Sequence, residues 1–361
     1  MSSRAVTIVV PTYEEAENIP ELVAGIERVA HANALDIELL LCDDNSQDGT
    51  RDVVEALNRP WVRLITRTVD RGLSAAVIEG LRNASNDLLV VMDADLSHPP
   101  EAIPRMLDQL DQGFDFVIGS RYIEGGSTDA DWGLFRWINS KVATFLARPF
   151  TSIKDPMSGF FAIKRPTFEH ASELNPIGYK VGLELIVKCG CGSIAEVPIH
   201  FTDRRFGESK LNLKEQLKYL RHLRRLAIYK YPGWSNFLQF AVVGASGTVV
   251  NLIVLTALVA ISVSDRIALA GGIGVSFLSN FVLNRRFTFS YARKDSIVGH
   301  FFGFLAASAL GLVTNYSVAL IFRENFAEVP IQIAAMVGII AGMGLNYLMS
   351  RYLVFGNRAR G

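Results

Sequence analysis

Val90-Val91-Met92-Asp93-Ala94-Asp95-Leu96-Ser97-His98 is an apolar run that stops at two carboxylates one residue apart. A short continuous apolar run bounded by polar residues reads as a buried strand. Such a strand delivers Asp93 and Asp95 to its end, where both can point at one hard cation. Oxygen ligands of this kind suit Mg2+ or Mn2+, ions that keep open positions for substrate phosphates. The stretch therefore predicts chemistry on a nucleotide diphosphate. A capped strand end with two solvated acids reads the same in isolation, so the surrounding sequence has to decide.

Working outward, the same arrangement recurs. Val6–Val10 runs into Pro11-Thr12-Tyr13-Glu14-Glu15, and Ile37–Cys42 into Asp43-Asp44-Asn45-Ser46. Val62–Ile65 precedes Arg71-Gly72-Leu73-Ser74, and Phe114–Ile118 precedes Gly119-Ser120-Arg121-Tyr122. Helical segments are predicted between these strands, from about Asn18 to His31, after Asp48, and from Ala75. Strands alternating with helices imply right-handed crossovers and a mainly parallel, Rossmann-like sheet. Ligands bind at the carboxyl ends of strands in open α/β sheets, and the polar clusters lie there. Neither G-x-G-x-x-G nor G-x-x-x-x-G-K-[ST] occurs, so phosphates have to be neutralised by a cation and side chains.

The chain has 361 residues and a formal net charge of zero, but charge is unevenly placed. Residues 204–230 hold nine Lys or Arg against two Glu, and after Trp234 the chain is mostly apolar. Four segments, roughly 237–261, 267–289, 300–322 and 330–350, are long enough to cross a hydrocarbon core of about 30 Å. Arg285, Arg286, Arg293 and Lys294 follow the second segment, and Arg358 and Arg360 follow the fourth. By the positive-inside rule, four spans with both termini cytoplasmic result. No signal peptide precedes Val6, which agrees with a cytoplasmic N-terminal domain. Cys42, Cys189 and Cys191 fit neither a disulfide framework nor a zinc spacing and are expected to be reduced. No nucleic-acid partner is expected.

The apolar half contains an internal repeat. Phe240, Ala245, Gly247, Val249 and Asn251 recur as Phe304, Ala309, Gly311, Val313 and Asn315, at an offset of 64. Asn280 through Phe289 recurs as Asn346 through Phe355, at an offset of 66. Two similar helical hairpins are predicted, with Asn251, Asn280, Asn315 and Asn346 at equivalent depths, where bonds between helices are one account and packing alone the favoured one. Between the halves, Leu213, Leu217, Leu220, Leu223 and Leu226 form a stripe at helical spacing beside Lys214, Lys218, Arg221, Arg224 and Arg225. A basic amphipathic helix next to a span reads as interfacial. Trp132–Phe150 is a second such segment. The expected organisation is a catalytic domain over 1–210, an interfacial helix and linker over 211–235, and a membrane domain over 236–356.

The motifs resemble those of family 2 glycosyltransferases of the GT-A fold, and among these the polyprenyl (dolichyl) phosphate mannose synthases. The matching segments are Pro11–Ile19, Asp43–Thr50, Asp93–Pro100, Gly119–Tyr122, Asp155–Phe160, and Asp203-Arg204 through Gly207–Lys210. The four-span half is similar to the GtrA-like domain that accompanies such enzymes. The resemblance implies a GT-A α/β domain followed by an all-α four-helix transmembrane domain. It implies that Pro11, Tyr13, Glu15 and Asp43 hold the donor nucleoside, and that Asp93 and Ala94 line the ribose and diphosphate. Asp93, Asp95 and Ser97 would surround the metal, though some members carry Gln where this chain has Ser97. Arg121, Arg136 and Ser140 would receive the lipid phosphate, and Lys180, Arg204 and Lys210 would neutralise the donor phosphates from a closing loop.

The implied reaction moves mannose from GDP-mannose to a polyprenyl phosphate at the cytoplasmic membrane face, with inversion to a β-linked product. A phosphate monoester acceptor is already anionic, so no strong general base is needed, and His98 and His200 are read as structural. Instead, Arg121 and Arg136 would hold the acceptor, while the cation and Lys210 stabilise the leaving diphosphate. Two alternatives remain open. One is transfer from UDP-glucose or UDP-GlcNAc to the same lipid; the other is a role as a lipid-linked sugar transporter component.

Overall fold

The computed structural model describes residues 3–129, 134–175, 177–178, 180–202, 213–288 and 297–349. The chain divides into two units, Met1–Lys230 and Tyr231–Gly361.

In chain order the first unit contains β1 (Arg4–Thr12), α1 (Ile19–Ala32), β2 (Leu35–Asp43), α2 (Thr50–Leu57), β3 (Val62–Thr66), α3 (Leu73–Asn83) and β4 (Leu88–Val91). There follow α4 (Ile103–Asp111), β5 (Phe116–Ser120), β6 (Ser127–Thr128), α5 (Leu134–Ala147), β7 (Phe161–Lys164) and α6 (Arg165–Glu169). The unit ends with α7 (Val181–Lys188), β8 (Ile194–Pro198), β9 (His200–Phe201) and α8 (Leu213–Lys230). Seven strands form one sheet in the order β3-β2-β1-β4-β7-β5-β8. All pairings are parallel except those of β7, which runs antiparallel to β4 and β5.

The apolar run before Asp93 is buried on both faces, as its composition demands. Val90 and Met92 face Val6, Ile8 and Val10 of β1 and the apolar sides of α1 and α4. Leu89 and Val91 face the opposite layer, with Val9, Leu40, Ala76, Val77 and Leu81. Each such side chain contributes about 1.5–3 kcal/mol by leaving water. Helix α3 lies so close to the sheet that a Cβ on Gly80 would collide with Val9 Cγ1 and fall 2.8 Å from Cys42 Sγ. The same burial pushes the Cys42 thiol up to about 12, and it stays protonated. All three cysteines are free.

The register Thr12↔Asp43↔Thr66 brings β1, β2 and β3 to a common edge, which β4 joins through its pairing with β1. Four non-glycine residues with positive φ sit in the loops leaving these strands: Glu14 (59°), Asn45 (57°), Asp70 (49°) and Leu96 (62°). For leucine this backbone conformation is uncommon and costs free energy. Sharp, strained turns are therefore gathered along the edge where the sequence places the ligand.

Helix α8 packs within the first unit. Leu223 and Leu226 join Ala147, Phe150, Met157, Leu183 and Val187 in a small core, whereas Leu217 and Leu220 stay 48% and 50% exposed. Among the described side chains the leucine stripe thus divides into an inward pair and an outward pair, Leu213 lying outside them. Helix α5 also turns Ile138, Val142 and Phe145 outward.

The second unit contains α9 (Pro232–Ala260), α10 (Asp265–Leu283), α11 (Ile297–Asn325) and α12 (Ile331–Met349). Helix α10 continues in a π-helical turn, Asn284–Thr288. Among the described residues, Ala241–Ala260 and Asp265–Arg286 are each long and apolar enough to cross a membrane. Helix α11 bends by 48° between Ala306 and Ser308, and qualifies as a third if the bent pair is one span; the apolar helix Ile331–Met343 is shorter. The sequence repeat recurs in the packing. A Cβ on Gly272 would lie 2.7 Å from Asn251 Oδ1, and one on Gly338 would lie 2.7 Å from Asn315 Oδ1. These two Asn–Gly contacts stand at the repeat offsets of 64 and 66. Asn251 Oδ1 and Asn280 Oδ1 are buried without a hydrogen-bond partner and lie against Gly272 and Gly247, so these two residues follow the packing account and not the bonding one.

Candidate active site

The turn after β4 is shaped by its own side chains. Asp95 Oδ1 accepts the Ser97 N–H (3.2 Å) and the Ser97 hydroxyl (2.6 Å), which bends the chain through Leu96. Ser97 is fully buried, so its hydroxyl orients Asp95 in this geometry. His98, 2% exposed, accepts the Asp93 N–H at Nδ1 (3.0 Å). It stacks on Phe160 at 5.1 Å and meets Phe201 edge-on at 5.6 Å. Burial lowers the His98 pKa against the opposing pull of Asp93 and Asp95. The ring is therefore neutral, with its proton on Nε2. His98 is more than core filling: it fixes the backbone from which Asp93 projects. His200 differs, bonding Ser127 and Asp129 in an exposed setting.

Asp93 keeps 26% of its side chain exposed, and Ala94 beside it is buried. Gly159 passes so near that a Cβ there would lie 3.4 Å from both Asp93 carboxylate oxygens. With the His98 nitrogen committed to the backbone and the hydroxyl of Ser97, expected beside the metal, donated to Asp95, the donor set here is two carboxylates, Asp93 and Asp95. Among the described residues no group of three or more His, Cys, Asp or Glu forms a cation site. Two carboxylates completed by substrate phosphate oxygens are the usual setting for Mg2+ or Mn2+, and the donors fit such an ion.

Opposite this pair stands Arg121, at the carboxyl end of β5. Its Nε and Nη2 donate to Asp155 Oδ2 (2.7 Å) and Oδ1 (2.8 Å), and its backbone N–H donates to Oδ2 (3.0 Å). Asp155 is wholly buried and the Arg121 side chain is 9% exposed. Burial disfavours the guanidinium charge, but hydrogen bonds and charge from Asp155 outweigh it and raise the Arg121 pKa. Phe201 and Tyr122 flank the guanidinium at 5.1 and 5.3 Å. Asp155 thus fixes one edge of the fork beside the carboxylate pair. Tyr122 O–H bonds Ser140 Oγ at 2.6 Å, which brings Ser140 of α5 to this side of the site. Arg136 also lies on α5, but its side chain is outside the described residues. So are Arg204 and Lys210.

Lys180 caps α7, half-buried, its ammonium 3.4 Å from the Met157 carbonyl. Burial, with the Arg121 charge adding to it, lowers its pKa to about 8, while Asp155 and Asp93 oppose the shift.

The nucleoside end of the edge is a web of bonds between loops. Asp43 accepts the Ser46 N–H (2.9 Å) and hydroxyl, and Ser46 Oγ accepts the Glu14 N–H (2.8 Å). Asp48 accepts the Ala16 N–H (3.0 Å), and Glu15 accepts from Asn18 Nδ2 (2.6 Å). Pro11 is buried at the end of β1, and Tyr13 stands above it, 42% exposed. Asp44 pairs with Arg67 in a buried ion pair and accepts the Gly72 N–H (2.6 Å). The structure therefore gathers Pro11, Tyr13, Glu15 and Asp43 along one stretch of the edge, and Asp93, Ala94, Asp95, Ser97, Arg121, Ser140 and Lys180 along the next.

The sequence marked no role for Asp155 or the Asp44–Arg67 pair, and His98, expected to be structural, positions Asp93 through its backbone N–H. Asp155 stood inside a segment quoted for its family resemblance, and that was its available signal. Nothing in the spacing of Asp44 and Arg67 marks them as partners.

Residues 7–171 match the family described as glycosyl transferase family 2, and residues 239–355 match the GtrA/DPMS transmembrane domain. The chain is 38% identical over 356 residues to the dolichol-phosphate mannosyltransferase of Pyrococcus furiosus, covering 97% of this chain and 99% of that one. It is 43% identical over 239 residues to the dolichol-phosphate mannosyltransferase of Mycosarcoma maydis, covering 64% of this chain and 81% of that one. Among solved structures it is similar to mannosyl-3-phosphoglycerate synthase from Rubrobacter xylanophilus, with a TM-score of 0.50 at 19% identity, over 62% of this chain and 74% of that one. The last likeness is one of fold.

Proposed function

Because this chain belongs to the family of the dolichol-phosphate mannosyltransferases, a glycosyl transferase family 2 domain joined to a GtrA/DPMS transmembrane domain, we propose that it moves mannose from GDP-mannose to a polyprenyl, dolichyl-type phosphate. It is a membrane protein and a glycosyltransferase; the donor, metal, stereochemistry and membrane face are our reading. One observation carries that reading: a carboxylate pair suited to a diphosphate-bound cation shares its site with a buried arginine held in place by Asp155.

Asp93 and Asp95 would hold Mg2+ or Mn2+, which supplies charge to the leaving diphosphate when bound. Pro11, Tyr13, Glu15 and Asp43 take the nucleoside, and Lys180 with Arg204 and Lys210 takes the donor phosphates. Arg121, together with Arg136 and Ser140, receives the acceptor phosphate. Bringing an anionic nucleophile to an anionic donor is the difficult step, and fixed cations lower its barrier. In-line attack at the anomeric carbon inverts configuration. We place the site at the cytoplasmic face, with four spans in the second unit. The outward apolar residues of α5 and α8 then lie at the interface where the lipid head group waits. A cavity of about 90 Å3 between the second unit's helices, lined by Phe277, Phe304 and Leu312 as well as Asn280, Asn284 and Asn315, is small for a sugar phosphate and gives a transporter reading little support.

The test is direct. Purified protein is incubated with Mg2+ or Mn2+, a short polyprenyl phosphate and either GDP-mannose or UDP-glucose, and the lipid product is followed by mass. Mannosyl lipid from GDP-mannose alone is expected, with β linkage in its coupling constants. Product solely from the UDP-sugar moves the chain to the alternative donor, and no product from either overturns the reading.

Lys180 predicts a pH dependence. With its pKa lowered to about 8, the free enzyme loses this phosphate-binding charge as pH rises through that value. Since kcat/KM reports groups of the free enzyme, kcat/KM for the donor should fall up to about tenfold per pH unit above about pH 8, with no contribution from Lys180 below about pH 7. Lys180→Arg, which stays charged, should remove that fall; a wild-type profile flat to about pH 9.5 refutes the assignment.

A further inference from the structure

The loop after β3 is fastened on both sides of one residue. Arg67 N–H donates to the Asp43 carbonyl (2.7 Å), its Nη2 donates to the Asp70 carbonyl (2.7 Å), and its charge is held by Asp44. Asp70 adopts φ 49° and Gly72 adopts φ 141°, with the Gly72 N–H on Asp44 Oδ2. Between these anchors stands Arg71, exposed, its guanidinium 5.0 Å from the centre of the Tyr13 ring. Among the described residues no carboxylate hydrogen-bonds to it. Tyr13 directly follows Thr12, which pairs with Asp43 across the sheet. A loop tied at both ends therefore carries a cationic fork over the Tyr13 ring, at the strand edge where Asp43 also lies.

We propose that Arg71 selects a guanine base in the donor by donating its fork to the N7 and O6 atoms. Guanine presents these two acceptors along one edge, the pattern an arginine meets bidentately. Its neighbouring edge presents N1–H and N2–H2, donors suited to a carboxylate such as Asp43. Uracil has no N7 and a single ring N–H, so it satisfies neither partner fully. The strained, doubly tied loop makes sense for this task, because base discrimination depends on where the fork is held as well as on its charge. The Tyr13 ring supports the guanidinium without taking its N–H donors in the ring plane. This inference rests on the GDP-sugar reading above and names the residue that enforces it.

The experiment measures binding of GDP, 7-deaza-GDP and UDP to the full-length protein in detergent with Mg2+, by calorimetry. In 7-deaza-GDP a C–H replaces N7 while the remaining groups are kept. Wild type should bind GDP roughly tenfold or more tightly than 7-deaza-GDP, within the range of a good bidentate contact. Arg71→Ala should bind the two alike and lose much of its preference for GDP over UDP. Arg71→Lys keeps the charge without the fork, and should also fail to distinguish N7. Because Arg71 is exposed, both variants should match wild type in thermal midpoint. If wild type prefers GDP to UDP but ignores N7, or if either variant keeps the N7 preference, the inference falls while the donor reading stands. If wild type prefers UDP to GDP, the donor reading itself falls.

Discussion

Asp95→Asn should lower transfer about a hundredfold to a thousandfold, the range that removing one preorganised charge-stabilising group costs. The substitution is chosen because Asp95 performs two tasks that asparagine separates. Its Oδ1 accepts the Ser97 N–H and hydroxyl and so shapes the turn through Leu96. An asparagine Oδ1 can accept both bonds, so the turn should survive. What goes is the negative charge beside Asp93, and with it half of the carboxylate pair on which a divalent cation depends. Mn2+-supported nucleotide binding should weaken along with kcat, while the thermal midpoint stays close to wild type. Asp95→Ala adds a structural penalty of about 1–3 kcal/mol, because the buried Ser97 hydroxyl loses its acceptor. Turnover by Asp95→Asn within tenfold of wild type would sink the metal assignment.

The contrast between Asp95 and Asp155 shows how far sequence reading reaches. The run ending at Asp93 is legible because a strand buried on both faces has to be continuously apolar, and two acids at its end break that rule. The parallel strands before it are legible for the same reason. β7 is not: Phe161–Lys164 is four residues long, too short for a period to show, and it runs against its neighbours. Yet that reversal builds half the site. A strand antiparallel to β4 and β5 begins at the edge where they end, so the loop leading into it, Asp155–Phe160, arrives beside Arg121 and Asp93. Asp155 lies 34 residues from Arg121, and no local pattern couples two residues at that distance. His98 is half legible. Its neighbourhood to the carboxylates is plain in the sequence, but its bond to the Asp93 N–H depends on how Leu96 turns the chain. The leucine stripe of α8 reads as one face, whereas the fold uses it as two, because α7 covers Leu223 and Leu226 while Leu217 and Leu220 stay outside.

Asp155→Ala should be the more damaging change to the protein itself. It leaves the Arg121 guanidinium, 9% exposed, with no counter-charge at Nε and Nη2. Removing one partner of a buried ion pair costs about 3–5 kcal/mol, a large share of a domain's stability of about 5–15 kcal/mol. Activity should fall too, since the carboxylate holds in place the guanidinium assigned to the acceptor phosphate. Loss of activity alone does not distinguish a positioning role from unfolding, but the double variant Arg121→Met with Asp155→Leu does. Replacing both charges by apolar side chains of similar volume removes the uncompensated ion, and such replacements are often neutral or stabilising. The thermal midpoint of the first unit should therefore drop in Asp155→Ala and recover in the double variant. Transfer to polyprenyl phosphate should recover in neither. If the double variant regains turnover, Arg121 is a structural residue and the acceptor phosphate is held elsewhere. If Asp155→Ala alone is as stable as wild type, the pair is not buried in the working enzyme. The expected pattern, stability restored without catalysis, assigns the guanidinium to the substrate and the carboxylate to the guanidinium.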